Sequence, residues 1–152
     1  MCIVPFLWGD VMKNVLFICL GNICRSPMAE AIFRDLLAKR GLAGVVEVDS
    51  AGTSSWHEGE RPHKGTLQKL AEHGISTAGM YSRPLVREDA SRFDLFVCMD
   101  VSNVHDAKKI VGDVPMITLL DNQDVPDPYY TGDFEETYQL CVQGCKKLLE
   151  SL

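Results

Sequence analysis

The first regular pattern along the chain is an unbroken apolar run, Val15-Leu16-Phe17-Ile18. A run without polar alternation suits a strand covered on both faces, as in the middle of a parallel sheet. Ser26-Pro27 then reads as a helix start, with Ser as N-cap and Pro where the amide has no partner anyway. Met28, Ala31, Ile32, Leu36 and Leu37 keep helical spacing until Gly41 stops it. A second strand is predicted over residues 45–48, with Asp49-Ser50-Ala51-Gly52 as a turn leaving it. A loop to about residue 62 leads into a helix over 63–72, ended by His73-Gly74, and a short acidic-capped helix near 87–91. Next come a strand over 95–99, a helix over 102–110 and a strand over 116–120. Residues 121–132 form a loop rich in Asp, Pro and Tyr. The last helix, over 134–149, puts Phe134, Tyr138, Cys141 or Val142, Cys145 and Leu148 or Leu149 on one face.

Strands alternating with helices imply βαβ units. The expected fold is therefore α/β: a single domain with a four-stranded, parallel, twisted sheet and helices on both faces. In such open sheets ligands bind outside the carboxyl ends of the strands. The segment from Cys19 to Ser26 lies at such an end, so a phosphate-binding loop is expected after the first strand.

Composition narrows the function classes. A chain of 152 residues with 46% hydrophobic and 24% charged residues fits one compact core. With 21 acidic and 15 basic residues the formal net charge is −6, which gives no long-range attraction to nucleic acid or an anionic membrane. No nucleic-acid partner and no membrane insertion are expected, and any anion must be gripped locally by a few aimed donors. Of the six cysteines, Cys19, Cys98 and Cys141 sit in apolar surroundings typical of reduced core thiols, which points to a cytoplasmic protein. His57, His63, His73 and His105 show no metal-ligand spacing and read as surface or capping residues. No metal or other cofactor is indicated.

Residues 1–12 stand apart. Met1 to Val11 is apolar, but it lacks a basic n-region and a cleavage site, and a strand follows almost at once. Met12 directly precedes the first strand, so residues 1–12 are read as an N-terminal extension, with Met12 as an alternative start, and residues 13–152 as the domain.

The chemistry concentrates in Cys19-Leu20-Gly21-Asn22-Ile23-Cys24-Arg25-Ser26. The loop joins a buried strand to a helix N-terminus, where unpaired amides and the helix dipole favour a tetrahedral oxyanion. Gly21 permits a sharp turn, and Asn22 tolerates left-handed geometry. Arg25 offers a planar fork of donors to two phosphate oxygens and keeps its charge. The same field favours the thiolate form of a cysteine, the form that attacks phosphorus. The Ser26 hydroxyl can donate to that thiolate and ease its later departure. A lone Cys ending a buried strand is ordinarily a small core residue; Cys-x5-Arg-Ser-Pro with Gly and Asn inside the loop is a much stronger signal.

The stretch from Val15 to Glu30, VLFICLGNICRSPMAE, resembles the signature of the low-molecular-weight protein tyrosine phosphatases. Asp127-Pro128-Tyr129-Tyr130, Asp49-Ser50-Ala51-Gly52-Thr53 and Cys98-Met99-Asp100 with Ser102-Asn103 are similar to that family as well. The resemblance implies that Cys19 is the nucleophile, forming a cysteinyl-phosphate, and that Asp127 is the general acid for the tyrosyl oxygen. It further implies that Asp100 orients Arg25, and that Asn22 and Ser50 fix the loop. Leu20, Ile23, Trp56, Tyr129 and Tyr130 would wall a slot for a flat ring. A reversible Cys19–Cys24 disulfide is implied as protection against over-oxidation. The implied partners are tyrosine-phosphorylated proteins, with inorganic phosphate or other oxyanions as inhibitors; exposed Tyr and Trp allow a monomer or weak self-association.

Taken without the resemblance, Asp127 before Pro reads as an ordinary turn residue, Asp100 as a solvated strand-end acid, and Cys24 as a silent small residue. Three other functions share such a loop. A protein-arginine phosphatase would place Thr at Ile23 and a single Phe after the Asp-Pro. An arsenate reductase would need two further redox cysteines on a later segment, and none lies between Met99 and Asp133. A non-catalytic phosphoryl carrier or binding module would not need nucleophile, Arg and distant acid together.

Overall fold

The computed structural model describes residues 13–121 and 123–151. The expectations about residues 1–12, the alternative start at Met12 included, lie outside the described residues. Within them four strands, β1 (Lys13–Cys19), β2 (Val46–Gly52), β3 (Leu95–Cys98) and β4 (Met116–Thr118), form one parallel sheet in the order β2-β1-β3-β4. Six helices accompany it: α1 (Arg25–Lys39), α2 (Lys64–Glu72), α3 (Asp89–Arg92), α4 (Val101–Val111), α5 (Pro128–Thr131) and α6 (Phe134–Glu150).

The apolar run of β1 explains why it is central. Val15 to Ile18 are all fully buried, and because strand side chains alternate, the two sets face different cores. Val15, Phe17 and Cys19 pack with α1 and α6 through Phe33, Leu37, Cys141 and Cys145. Leu16 and Ile18 pack with Phe96, Cys98 and the α4 residues Ala107 and Val111. The sheet is thus covered on both faces, as the absence of polar alternation required. On α6, Tyr138, Cys141, Cys145, Leu148 and Leu149 are buried and Phe134 is partly so. Cys19, Cys24, Cys98, Cys141 and Cys145 are all free and buried.

Three local expectations are corrected. Helix α1 begins at Arg25, with Cys24 in the cap position, so Ser26 is no N-cap; its hydroxyl is 3.0 Å from Cys19 Sγ. The first turn of α1 therefore has no side-chain cap, and its Ser26 N–H is turned toward the Cys19 sulfur. Asp49-Ser50-Ala51-Gly52 is no turn but the second half of β2, paired with Leu16 to Cys19 of β1; parallel pairing along a buried strand overrides the turn preference of these residues. Residues 128–131 within the expected loop form α5. There Asp127 caps the helix by accepting from the Tyr129 N–H at 3.1 Å, with Pro128 in its first turn. The other elements shift by at most two residues at their ends.

Candidate active site

The loop from Cys19 to Ser26 wraps around the Cys19 sulfur. The N–H groups of Asn22 and Ser26 lie 3.3 and 3.4 Å from Sγ, and the Ser26 hydroxyl lies closer. Holding that shape needs a left-handed residue, and Asn22 takes it with φ 57°, alone among the described non-glycine residues. Its side chain turns away from the opening and is fully engaged. Nδ2 donates to Ser50 Oγ at 2.9 Å and Ser26 Oγ at 2.8 Å, while Oδ1 accepts from the Arg83 N–H at 2.9 Å.

Arg25 lies under the loop, nearly inaccessible. Nη1 binds Asp100 Oδ2 at 2.6 Å and the Val125 carbonyl at 3.0 Å; Nη2 lies 3.4 Å from Asp127 Oδ2. Burial works against its charge, but Cys19, Asp100 and Asp127 outweigh burial and hold the guanidinium above its ordinary value. Nε is buried with no partner, a donor left over in the floor of the site. Cys24 borders the same opening as Cys19. Burial first, then the negative charge of Asp127 and Cys19, pushes its thiol up to about 12, so it stays protonated at neutral pH.

Above the loop is a slot of about 200 Å³ lined by Cys19, Leu20, Gly21, Ile23, Cys24, Trp56, His57, Asp127, Tyr129 and Tyr130. Trp56, Tyr129 and Tyr130 are exposed, unlike the core aromatics. Asp127 is brought here by α5, because capping that helix turns its carboxylate inward. The residues singled out in the sequence therefore fall into three places. Cys19, Leu20, Gly21, Ile23, Cys24, Trp56, Asp127, Tyr129 and Tyr130 border the slot. Arg25 and Asp100 lie beneath it. Asn22, Ser26 and Ser50 form a buried cluster behind the loop.

Several participants were not singled out. His57, by its sequence a surface or capping residue, lines the slot, its ring beside Gly21 and its Nδ1 3.2 Å from the Glu60 carboxylate. Adjacency to Trp56 was the available signal. His63 does cap α2, accepting from the Gly65 N–H; His73 stacks on Tyr138. A strap from Ser82 to Leu85 supports the loop from behind. Ser82 Oγ donates to the Gly21 carbonyl at 3.1 Å, and Gly52 exchanges backbone hydrogen bonds with Arg83 and Leu85. The strap is held by fully buried Asp89, which accepts from both Arg83 Nη atoms, the Val86 N–H and Arg92. Nothing in the local pattern around Arg83 signalled this.

Among the described residues no helix is long and apolar enough to cross a membrane. The arrangement can do one kind of chemistry well. It presents a cysteine sulfur inside a ring of donors, a fixed cation beneath them, and a carboxyl group at the mouth of an aromatic-walled slot.

Comparison with known proteins agrees with that reading. The model of the family described as low molecular weight phosphotyrosine protein phosphatase matches residues 14–152. The low molecular weight protein-tyrosine-phosphatase YfkJ of Bacillus subtilis is 49% identical over 150 residues, covering 93% of this chain and 96% of the relative. Its crystal structure superposes with a TM-score of 0.88 at 48% identity, over 92% of this chain and 94% of that one. The Sus scrofa low molecular weight phosphotyrosine protein phosphatase is 40% identical over 155 residues, covering 94% of this chain and 98% of the relative. The crystal structure of the Drosophila arginine phosphatase DARP superposes with a TM-score of 0.81 at 32% identity, over 90% of this chain and 96% of that one. With the family model spanning nearly the whole chain and the phosphate loop intact, this chain belongs to the low molecular weight phosphotyrosine protein phosphatase family, enzymes that hydrolyse phosphoric monoesters.

Proposed function

We propose that this protein hydrolyses phosphotyrosine in proteins, and small aryl phosphates, through a cysteinyl-phosphate on Cys19. The loop amides and Arg25 bind the phosphate. Cys19 Sγ attacks phosphorus, the bond to the aryl oxygen breaks, and Asp127 gives that oxygen its proton. Water then attacks the phosphocysteine, Asp127 takes the proton back, and the S–P bond breaks with its electron pair on sulfur. Asp100 holds Arg25 in place; Asn22, Ser50 and Ser26 hold the loop; Trp56, Tyr129 and Tyr130 flank the ring. Tyrosine-phosphorylated proteins are the substrates, inorganic phosphate and other oxyanions compete for the loop, and the protein works in the cytoplasm without a cofactor.

The observation that carries this reading is the convergence of Cys19 and Asp127 on one aromatic-walled slot, with Arg25 reaching toward Asp127 from below. A bound phosphate competes for that guanidinium and leaves the carboxyl group free for the leaving oxygen.

The fold also serves the Drosophila arginine phosphatase, so substrate class rests on the slot. Branched, apolar Ile23 and the Tyr129-Tyr130 pair favour a flat phenyl ring over a polar guanidinium. The test compares a phosphotyrosyl and a phosphoarginyl peptide, with p-nitrophenyl phosphate as reference, on wild type, Cys19→Ser and Asp127→Ala. Tyrosine preference, no turnover by Cys19→Ser, and a 10²-fold or greater loss in Asp127→Ala with phosphate inhibition retained are expected, on the order of general-acid contributions. Arginine preference would overturn the substrate, and an active Cys19→Ser the mechanism.

A further inference from the structure

Behind the loop, Glu30 of α1 is a buried carboxylate that the mechanism leaves unused, only 3% exposed. Its Oε2 pairs with Arg34 at 2.7 Å, and its Oε1 accepts from the Ser50 hydroxyl at 2.6 Å. From Ser50 a continuous buried chain of hydrogen bonds runs to the nucleophile: Asn22 Nδ2 to Ser50 Oγ and Ser26 Oγ, then Ser26 Oγ to Cys19 Sγ.

Each hydroxyl has one proton, so the direction of every bond follows from the ends of the chain. The Ser50 proton goes to the Glu30 carboxylate, and its oxygen is left to accept from Asn22. Asn22 Oδ1 is taken by the Arg83 N–H, a group that can only donate, so its amide nitrogen faces both serines. Ser26 Oγ accepts from that nitrogen, and its proton has only the Cys19 sulfur to go to. Arg83 thus holds the amide from one end and Glu30, through Ser50, from the other: with no carboxylate to draw the Ser50 proton, that proton is free for an amide oxygen, and turning the amide over costs only the Arg83 bond. Oδ1 would then compete with sulfur for the Ser26 proton.

We propose that Glu30 is a positioning residue that fixes the donor direction of this chain and so presents the Ser26 hydroxyl to the Cys19 sulfur. The effect belongs to the second half of the reaction. As water attacks phosphorus and passes its proton to Asp127, the S–P bond breaks and the electron pair returns to Sγ, where the Ser26 hydrogen bond stabilises it. In the first half the thiolate is consumed, and the same hydrogen bond gives no acceleration. The inference rests on the covalent mechanism proposed above.

Rapid-quench measurements with p-nitrophenyl phosphate give two rate constants, for the formation and for the decay of phosphate on Cys19. In Glu30→Gln, decay is expected to slow about tenfold, the worth of one well-placed hydrogen bond, while formation is little changed. Ser50→Ala, which removes the relaying hydroxyl and no charge, gives the same pattern. The double variant decays no more slowly than the slower single one, because both act through one chain. Formation and decay slowing together would mark a general loosening of the loop and overturn the inference. So would unchanged decay, or slowings that multiply in the double variant. Wild type that turns over substrate without carrying phosphate on Cys19 overturns the covalent mechanism itself, and the inference with it.

Discussion

One carboxylate, that of Asp100, both orients Arg25 and starts helix α4. Oδ2 takes Arg25 Nη1 at 2.6 Å, while Oδ1 accepts from the Asn103 N–H at 2.7 Å, and Asn103 returns a bond to the Asp100 N–H. The same residue thus holds the guanidinium beneath the loop and closes a capping box.

The two roles separate in mutants. Asp100→Asn keeps a cap of equal quality but removes the charge opposite Arg25. Its thermal stability should stay within about 1 kcal/mol of wild type, while the inhibition constant for phosphate rises about tenfold, as for one weakened charge-assisted hydrogen bond. Asp100→Ala should lose both. Equal phosphate inhibition in wild type and Asp100→Asn would show that Arg25 needs no partner there.

Gly52 ends β2 against the back of the phosphate loop. A Cβ on it would stand 2.8 Å from the Leu20 carbonyl oxygen, 3.1 Å from Asn22 Cβ and 3.1 Å from the Ser54 carbonyl oxygen. Backbone must move, and the backbone in question carries the amides around Cys19. Gly52→Ala should cost about 1–3 kcal/mol in stability, as overpacking does. Its kcat/KM should fall by about a hundredfold, as displacement of reacting groups does. Folded protein with wild-type kinetics would contradict this placement.

Asp89 ties stability to pH. Burial alone would raise its pKa, but Arg83, the Val86 N–H and Arg92 reverse that and hold the carboxyl below its ordinary value. A carboxylate so depressed stabilises the fold above its unfolded value, about 3.9, and that contribution is lost as pH falls through the folded one. Asp89→Asn should therefore be less stable at pH 7 by about 2 kcal/mol, with the difference from wild type shrinking below about pH 4. Urea unfolding at several pH values measures it; a difference independent of pH would refute the assignment.

Peroxide should convert Cys19 to a sulfenic acid, which Cys24 then attacks with loss of hydroxide to give a Cys19–Cys24 disulfide. Burial, then the negative charge of Asp127 and Cys19, pushes the Cys24 thiol up to about 12, so its thiolate is scarce at neutral pH. Between about pH 7 and 9 the rate of linkage should rise close to tenfold per unit, as the thiolate fraction does. Mass spectrometry of quenched samples follows the linkage. No linkage, or a rate flat with pH, would exclude Cys24 as the resolving thiol.

Some of this protein is legible in its sequence because the responsible forces are local. The apolar run Val15 to Ile18 must be buried on both sides, and Cys19 to Ser26 must stand between a strand and a helix N-terminus. A parallel α/β sheet with a phosphate loop after its first strand follows from these patterns, and the family resemblance added Asp127, Asp100 and Ser50. Other features have no local signature. Ser26 has the pattern of an N-cap, yet the nearby sulfur and Asn22 claim its hydroxyl; Ser50 and Gly52 have the pattern of a turn, yet pairing with β1 straightens them. Glu30 falls inside a helix like any surface acid, but Arg34 and Ser50 make its burial tolerable. Arg83 comes to Asn22 across 61 residues of chain, and Asp127 to Arg25 across 102. By itself, then, the sequence determined the sheet and the place of the loop, since periodicity and helix-end electrostatics act within a few residues. The tertiary structure alone decided which buried acids and amides support that loop, because those partners meet only when distant segments pack together and each buried polar group must find its hydrogen bond.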